Sequence, residues 1–177
     1  MSESEIEIGT LPPEQWQAYK TLRLEALMDS PQAYGTSYAQ SIIKPDSFWR
    51  ERLEDAARGE NVWLLFAKSQ GELVGLIGAF VADDEPEVVA IVSVYVTSKA
   101  RGQGIGKQLL AAILAEVTSK NKFKTARLTV NPMQIAALSL YRSSGFEVVA
   151  EEDTLMGDGN VYREFIMEKP LEPFAKT

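Results

Sequence analysis

Residues 96–107 read Val96-Thr97-Ser98-Lys99-Ala100-Arg101-Gly102-Gln103-Gly104-Ile105-Gly106-Lys107. This run joins two periodicities. Upstream, 88–96 (Val-Val-Ala-Ile-Val-Ser-Val-Tyr-Val) is β-branched and nearly all apolar, the pattern of a central strand covered on both faces. Downstream, Ile105, Leu109, Leu110, Ile113, Leu114 and Val117 fall on one face of a helix over 104–120. The glycines between them let backbone approach a ligand with no Cβ in the way. The first amides of such a helix have no partner inside it, and with the helix dipole they form an anion site suited to phosphate or pyrophosphate. Arg101 and Lys107 add positive charge at its mouth.

Two common phosphate fingerprints do not fit. A Walker A loop needs Gly four residues before Gly-Lys-Ser/Thr, but Gly106-Lys107 is followed by Gln108 and the first position is Arg101. A dinucleotide fingerprint needs Gly-x-Gly-x-x-Gly after a βαβ opening and an acid about 20 residues on. Here the spacing is Gly102-x-Gly104-x-Gly106, and the next strand ends at Val130-Asn131-Pro132 with no acid.

Outward from this segment the chain reads as one domain, 1–177. Strands are expected over 5–11, 61–68, 73–82 and 87–96, the last three a tightly spaced antiparallel meander. Asp83-Asp84-Glu85-Pro86 reads as a solvated hairpin tip. Helices are expected from Pro12-Pro13 to Asp29, and from Pro45 to near Gly59, with an irregular or broken-helical connection over 31–44. After the 104–120 helix come a strand over 124–130, a short helix over 133–144 stopped by Gly145, and strands over 146–150 and 161–167 around the turn Gly157-Asp158-Gly159-Asn160. Residues 170–177 read as a frayed tail.

The composition narrows the chemistry. The chain has 177 residues, 18 basic against 25 acidic, a formal charge of −7, and neither Cys nor His. A thiol nucleophile, a Ser-His-Asp triad, an imidazole base and a thiolate or imidazole metal site are therefore excluded. The acidic balance argues against a nucleic-acid partner. No run is apolar enough for a membrane helix, and the start Met-Ser-Glu-Ser-Glu lacks the features of a signal peptide, so the expectation is cytoplasmic.

The 96–107 segment resembles motif A of the GNAT acyltransferases, Arg/Gln-x-x-Gly-x-Gly/Ala, with Arg101, Gly104 and Gly106 in the three positions. Leu128-Thr-Val-Asn131, then Ala136 to Tyr141-Arg-Ser-Ser-Gly145-Phe146, is similar to motif B. Val161–Met167 resembles the closing strand of many members. Leu22-Arg-Leu-Glu-Ala-Leu27, Ser30-Pro31-x-Ala-Tyr34-Gly35 and Trp49 resemble one large subgroup. These stretches occur in the family's order over nearly the whole chain.

The resemblance implies an α/β (α+β) fold: a mixed, mostly antiparallel central sheet flanked by helices, splayed between the strands ending at Val96 and Val130. It implies acetyl-CoA as donor and an amine acceptor, small-molecule or peptide, entering from the opposite side. Arg101, Gly102, Gln103, Gly104, Ile105, Gly106 and Lys107 would cradle the pyrophosphate. The backbone of Val94, Tyr95 and Val96 would bond the pantetheine arm and thioester, and Asn131 the cofactor arm. Tyr141 would protonate the leaving thiolate. With no Cys, direct transfer in a ternary complex is the natural mechanism, with strand-edge N–H groups stabilising the oxyanion. The amine must lose a proton; water relayed through Ser93, or bulk water, would take it. A homodimer is the default assembly.

Blander readings stand beside these. The glycines serve equally as a tight turn, Tyr141 as a core tyrosine with its phenol bonded to backbone, and Asn131 as a turn residue. Tyr34 and Tyr38 are the acceptor-pocket candidates, whereas Phe48 and Trp49 read as core. Two alternatives to an acetyltransferase remain: a module of the same fold that binds acyl-CoA without efficient catalysis, and an enzyme of another class taking NAD or ATP through the same turn.

Overall fold

The computed structural model describes residues 5–172. Its elements are β1 (Ile6–Gly9), α1 (Trp16–Asp29), α2 (Tyr38–Ile42), α3 (Asp46–Arg58), β2 (Val62–Ser69), β3 (Glu72–Ala82), β4 (Glu85–Val96), α4 (Ile105–Ser119), β5 (Thr125–Val130), α5 (Ile135–Ser143), β6 (Glu147–Leu155) and β7 (Val161–Pro170). They build one seven-stranded sheet in the order β1-β2-β3-β4-β5-β7-β6. β4 and β5 are parallel, and α4 is the crossover that parallel neighbours require. The other neighbouring pairs are antiparallel.

Alternation along the strands feeds a core on each face. Ile77, Val89, Ile91, Ala126, Leu128 and Met167 pack with α4 and α5. Leu64, Phe66, Leu76 and Tyr95 pack with α1 and α3, around Trp49 and Leu27. Of the expected stripe on α4, Ile105, Leu109, Leu110, Ile113 and Val117 are buried and Leu114 is half-buried. No helix among the described residues is long and apolar enough to cross a membrane.

The sheet opens where β4 and β5 part. Their ladder runs only from Val88↔Thr125 to Ala90↔Arg127, yet β4 continues to Val96 and β5 to Val130. The cause lies in β4. Gly78 pairs with Val92 and Leu76 with Tyr95, so β4 carries one residue more than β3 across this step. Ser93 takes up that bulge at φ +58°, the left-handed region that non-glycine residues seldom adopt. A bulge bends and twists its strand, which carries the end of β4 away from β5. At the closed end Arg127 bonds both Glu85 (2.6 Å) and Glu168 (2.9 Å).

Three expectations are corrected. The hairpin tip is only Asp83-Asp84: Glu85 and Pro86 belong to β4, and Glu85 is held by Arg127. β6 runs on to Leu155, through an acidic stretch whose Glu151 and Asp153 pair with Arg163 of β7. Of the tail, Pro170 closes β7 and Leu171 is buried, its N–H donating to the Lys124 carbonyl (2.8 Å), while 173–177 lie outside the described residues.

Candidate active site

The divergence of β4 and β5 leaves a cleft of about 400 Å³, with Tyr34, Ser93, Val94, Val96, Arg101 and Tyr141 among its walls. Adjacent residues of an antiparallel strand send their N–H and C=O groups to opposite sides. Tyr95 pairs with Leu76 of β3, and Thr97 donates to the Val74 carbonyl, so Val94 and Val96 present their backbone to the gap. Their carbonyls are met there by side chains: Tyr34 Oη donates to Val94 (3.2 Å) and Arg101 Nε to Val96 (3.0 Å). The ring of Tyr95 lies on the far face, its hydroxyl donating to Glu25 of α1 (3.2 Å).

At one end of the cleft α4 begins. Gly104 is its N-cap at φ +76°, a conformation that glycine adopts without strain, and no side chain caps the helix. The first helical bond runs from Gln108 N to the Gly104 carbonyl, so the amides of Ile105, Gly106 and Lys107 have no acceptor in the helix. A Cβ at Gly102 or Gly104 would meet open space. Lys107 is exposed and without an ion pair among the described residues. Arg101 is engaged instead: its Nη2 bonds Asp29 (2.5 Å), and its guanidinium lies 5.7 Å from the Tyr95 ring centroid. That hydrogen bond holds the Asp29 carboxyl below the usual carboxylate range.

Tyr141 projects from α5 into the cleft wall, 7% exposed, with its ring edge-on to Phe146 at 6.2 Å. Its hydroxyl has no hydrogen-bond partner among the described residues. Burial pushes its phenol well above the ordinary range, and nearby Tyr34 adds to the effect. Burial likewise lifts Tyr34 to about 12, against the opposing charge of Arg23, whose guanidinium lies 4.5 Å from the Tyr34 ring centroid. Both phenols therefore stay protonated at neutral pH.

Ser93 is also in the wall of a second cavity, of about 550 Å³, bounded by α1, α2 and α3. Arg23, Arg52 and Phe48 line it, with Gln40, whose Oε1 accepts the Ser37 N–H in a capping box. Trp49 is core, 1% exposed.

The fold thus brings Tyr34, Ser93, Val94, Val96, Arg101 and Tyr141 together at one cleft, beside the Gly-rich start of α4. Three expected residues are otherwise engaged. Tyr95 gives its backbone to β3, not to the gap, and its hydroxyl to Glu25. Tyr38 opens α2 and reaches neither cavity wall. Asn131 is buried, and its Oδ1 accepts the Met133 N–H (2.9 Å), fixing the turn after β5. Sequence reasoning missed Asp29, Arg23 and Arg52. The available signal was Arg23 itself, a charge set between two leucines, Leu22 and Leu24, that both become buried.

Residues 23–146 match the Acetyltransferase (GNAT) family. The L-2,4-diaminobutyric acid acetyltransferase of Methylotuvimicrobium alcaliphilum is 29% identical over 141 residues, 76% of each chain. N-acetyltransferase 8 of Rattus norvegicus is 32% identical over 97 residues, 53% of this chain but only 42% of that protein. The solved structure of yncA from Salmonella typhimurium with its cofactor acetyl-CoA superposes with a TM-score of 0.80 at 17% identity, covering 98% of both chains. Match and architecture agree: the chain belongs to the acetyltransferase (GNAT) family.

Proposed function

We propose that this protein, acting as one domain, moves the acetyl group of acetyl-CoA to a primary amine by direct attack in a ternary complex, with no covalent acyl-enzyme. One observation carries the reading. A single cleft has the uncapped start of α4 at its end and, in its wall, Tyr141, a buried residue whose hydroxyl has no hydrogen-bond partner among the described residues.

The residues present fit the donor. The free amides of Ile105, Gly106 and Lys107 suit a pyrophosphate, and the open space at Gly102 and Gly104 admits it close to backbone. The backbone of Val94 and Val96 faces the gap where an amide-bearing arm would lie. When bound, acetyl-CoA supplies an activated acetyl thioester. Tyr141 holds a proton in the cleft wall for the departing thiolate, and burial keeps that proton in place. Free N–H groups at the opened edge of β4 serve a developing oxyanion. Ser93, held by its bulge in the walls of both cavities, is the polar group through which water relays the proton of the amine. Arg101 acts mainly as a strut, tying the Gly-rich turn to β4 and to the end of α1.

The test is thermal stability with acetyl-CoA, CoA, NAD and ATP side by side, since ligand at ~100 times its Kd adds about 2.7 kcal/mol. Stabilisation by acetyl-CoA and CoA alone is expected, followed by thiol release with an amine panel, free of protein-thiol background. Stabilisation by NAD or ATP alone would overturn the reading. The second reading, a non-catalytic acyl-CoA module, draws on the absence of any carboxylate among the cleft-lining residues. It requires Tyr141→Phe to leave any thiol release unchanged.

A further inference from the structure

The second cavity shares only Ser93 with the donor cleft, and its charged lining is of one sign. Arg23, Arg52 and Lys44 face it, with no Asp or Glu, in a chain of 25 acidic and 18 basic residues. None of the three forms an ion pair among the described residues. Arg52 is steered by Tyr19, whose Oη accepts from its Nε (3.1 Å), and lies 5.5 Å from the Phe48 ring centroid.

Arg23 is the telling residue. Its Nη1 is shut off from water and has no acceptor. A guanidinium has donors only, and enclosing one without an acceptor is unfavourable. Burial chiefly presses against the charged form of Arg23; Tyr34 and Tyr19 oppose it, and the Arg52 charge adds a smaller repulsion. Stacking on Tyr34 supports the group from one face but answers none of its N–H groups. An anion seated in the cavity would balance the charge of both guanidiniums that line it and accept from their facing N–H groups.

Ser93 fixes where such an anion belongs, because it lines this cavity and the cleft alike. We infer that the second cavity is the acid-recognition half of the acceptor site: it takes the carboxylate of a small amino acid whose amine lies at Ser93, facing the cleft. The planar fork of Arg23 matches a carboxylate in geometry and charge. This rests on the acyl-transfer reading above for what happens to the amine, but not for the binding of the acid.

The experiment compares linear amino acids from glycine to 6-aminohexanoate with their own carboxamides. One readout is thiol release at fixed acetyl-CoA. The other is calorimetric binding of the same compounds to the full chain without acetyl-CoA. At the best chain length the acid is expected to exceed its carboxamide by about 30-fold or more in kcat/KM. Arg23→Gln and, independently, the more exposed Arg52→Gln should erase that preference through the acceptor KM and leave the acetyl-CoA KM unchanged. Arg23→Lys should restore part of it. Equal handling of acid and carboxamide by the wild type in both readouts would overturn the inference, as would a preference that survives both Gln variants. Absence of acetyl-CoA binding, or of thiol release with every amine, would count against acyl transfer instead. The calorimetry then still decides the subsite, since carboxylate-dependent binding supports it and none overturns it.

Discussion

Tyr34 donates its hydroxyl to the carbonyl of Val94 at 3.2 Å, joining the loop after α1 to the opened edge of β4. The bond spans the two sides of the candidate site, since the same ring also carries Arg23. Tyr34→Phe keeps the ring and removes the bond. It should cost about 1 kcal/mol of stability and raise the acceptor KM several-fold, with the acetyl-CoA KM unchanged. Denaturant melts and steady-state kinetics check both.

Tyr141→Phe should lower kcat by about 10²-fold or more, the range of a positioned general acid, while acetyl-CoA stabilises the variant as it does the wild type. The pH profile follows from the same group. The neutral phenol is the working form, and burial raises its pKa, so its active range extends upward. kcat/KM should climb as the acceptor amine deprotonates and show no falling limb from this residue up to pH ~10. A falling limb near pH 8 that vanishes in Tyr141→Phe would show that the phenol is not held up.

Arg23→Met should stabilise the free protein by about 1 kcal/mol, because it removes an enclosed charge that has no partner. Thermal unfolding without ligand measures this. A loss of stability would mean that stacking on Tyr34 outweighs the missing acceptor.

Gly157 sits in the β6–β7 turn, where its N–H donates to the Tyr34 carbonyl (2.8 Å). A Cβ there would come within 2.4 Å of the Thr36 carbonyl carbon and oxygen, which are backbone atoms with little room to yield. Gly157→Ala should therefore push the turn off the Tyr34–Ser37 segment and destabilise by about 1–3 kcal/mol. Faster exchange of the Gly157 amide would localise the damage.

Glu164 is 4% exposed, opposite Glu152 on the paired strand, and has no hydrogen-bond partner among the described residues. Burial raises its carboxyl, and Glu152 raises it further. A carboxyl raised in the folded state weakens the fold above that pKa and ceases to do so once protonated. Glu164→Gln should thus be more stable than the wild type at pH 7, by about 1 kcal/mol or roughly 2–4 °C. The gap should close as pH falls through the raised pKa. Melts from pH 7 to 4 test the sign.

Residues 96–107 were legible because their physics is local. A β-branched run, a turn of glycines and an amphipathic stripe each act within a few residues, and the strand, turn and helix formed where expected. Glu85 was misread because three acidic residues before proline, Asp83-Asp84-Glu85, resemble a loop; its strand is decided by Arg127, distant in sequence. The continuation of β6 was hidden in the same way, since Glu151 and Asp153 read as polar surface until Arg163 lies opposite them.

By itself the sequence determined where most strands and helices lie, though not the start of β4 or the end of β6, which helix starts at a glycine without a side-chain cap, and that neither thiol nor imidazole chemistry is available. Only the tertiary structure decided that β4 bends away at Ser93, that Arg101 is bound to Asp29, and that Arg23 and Arg52 share an acid-free cavity beside Tyr34. Secondary structure and capping follow from neighbours along the chain. Enclosure, charge pairing and the meeting of two cavities follow from neighbours in space, and these come from α1, α3 and β4, which no local pattern relates.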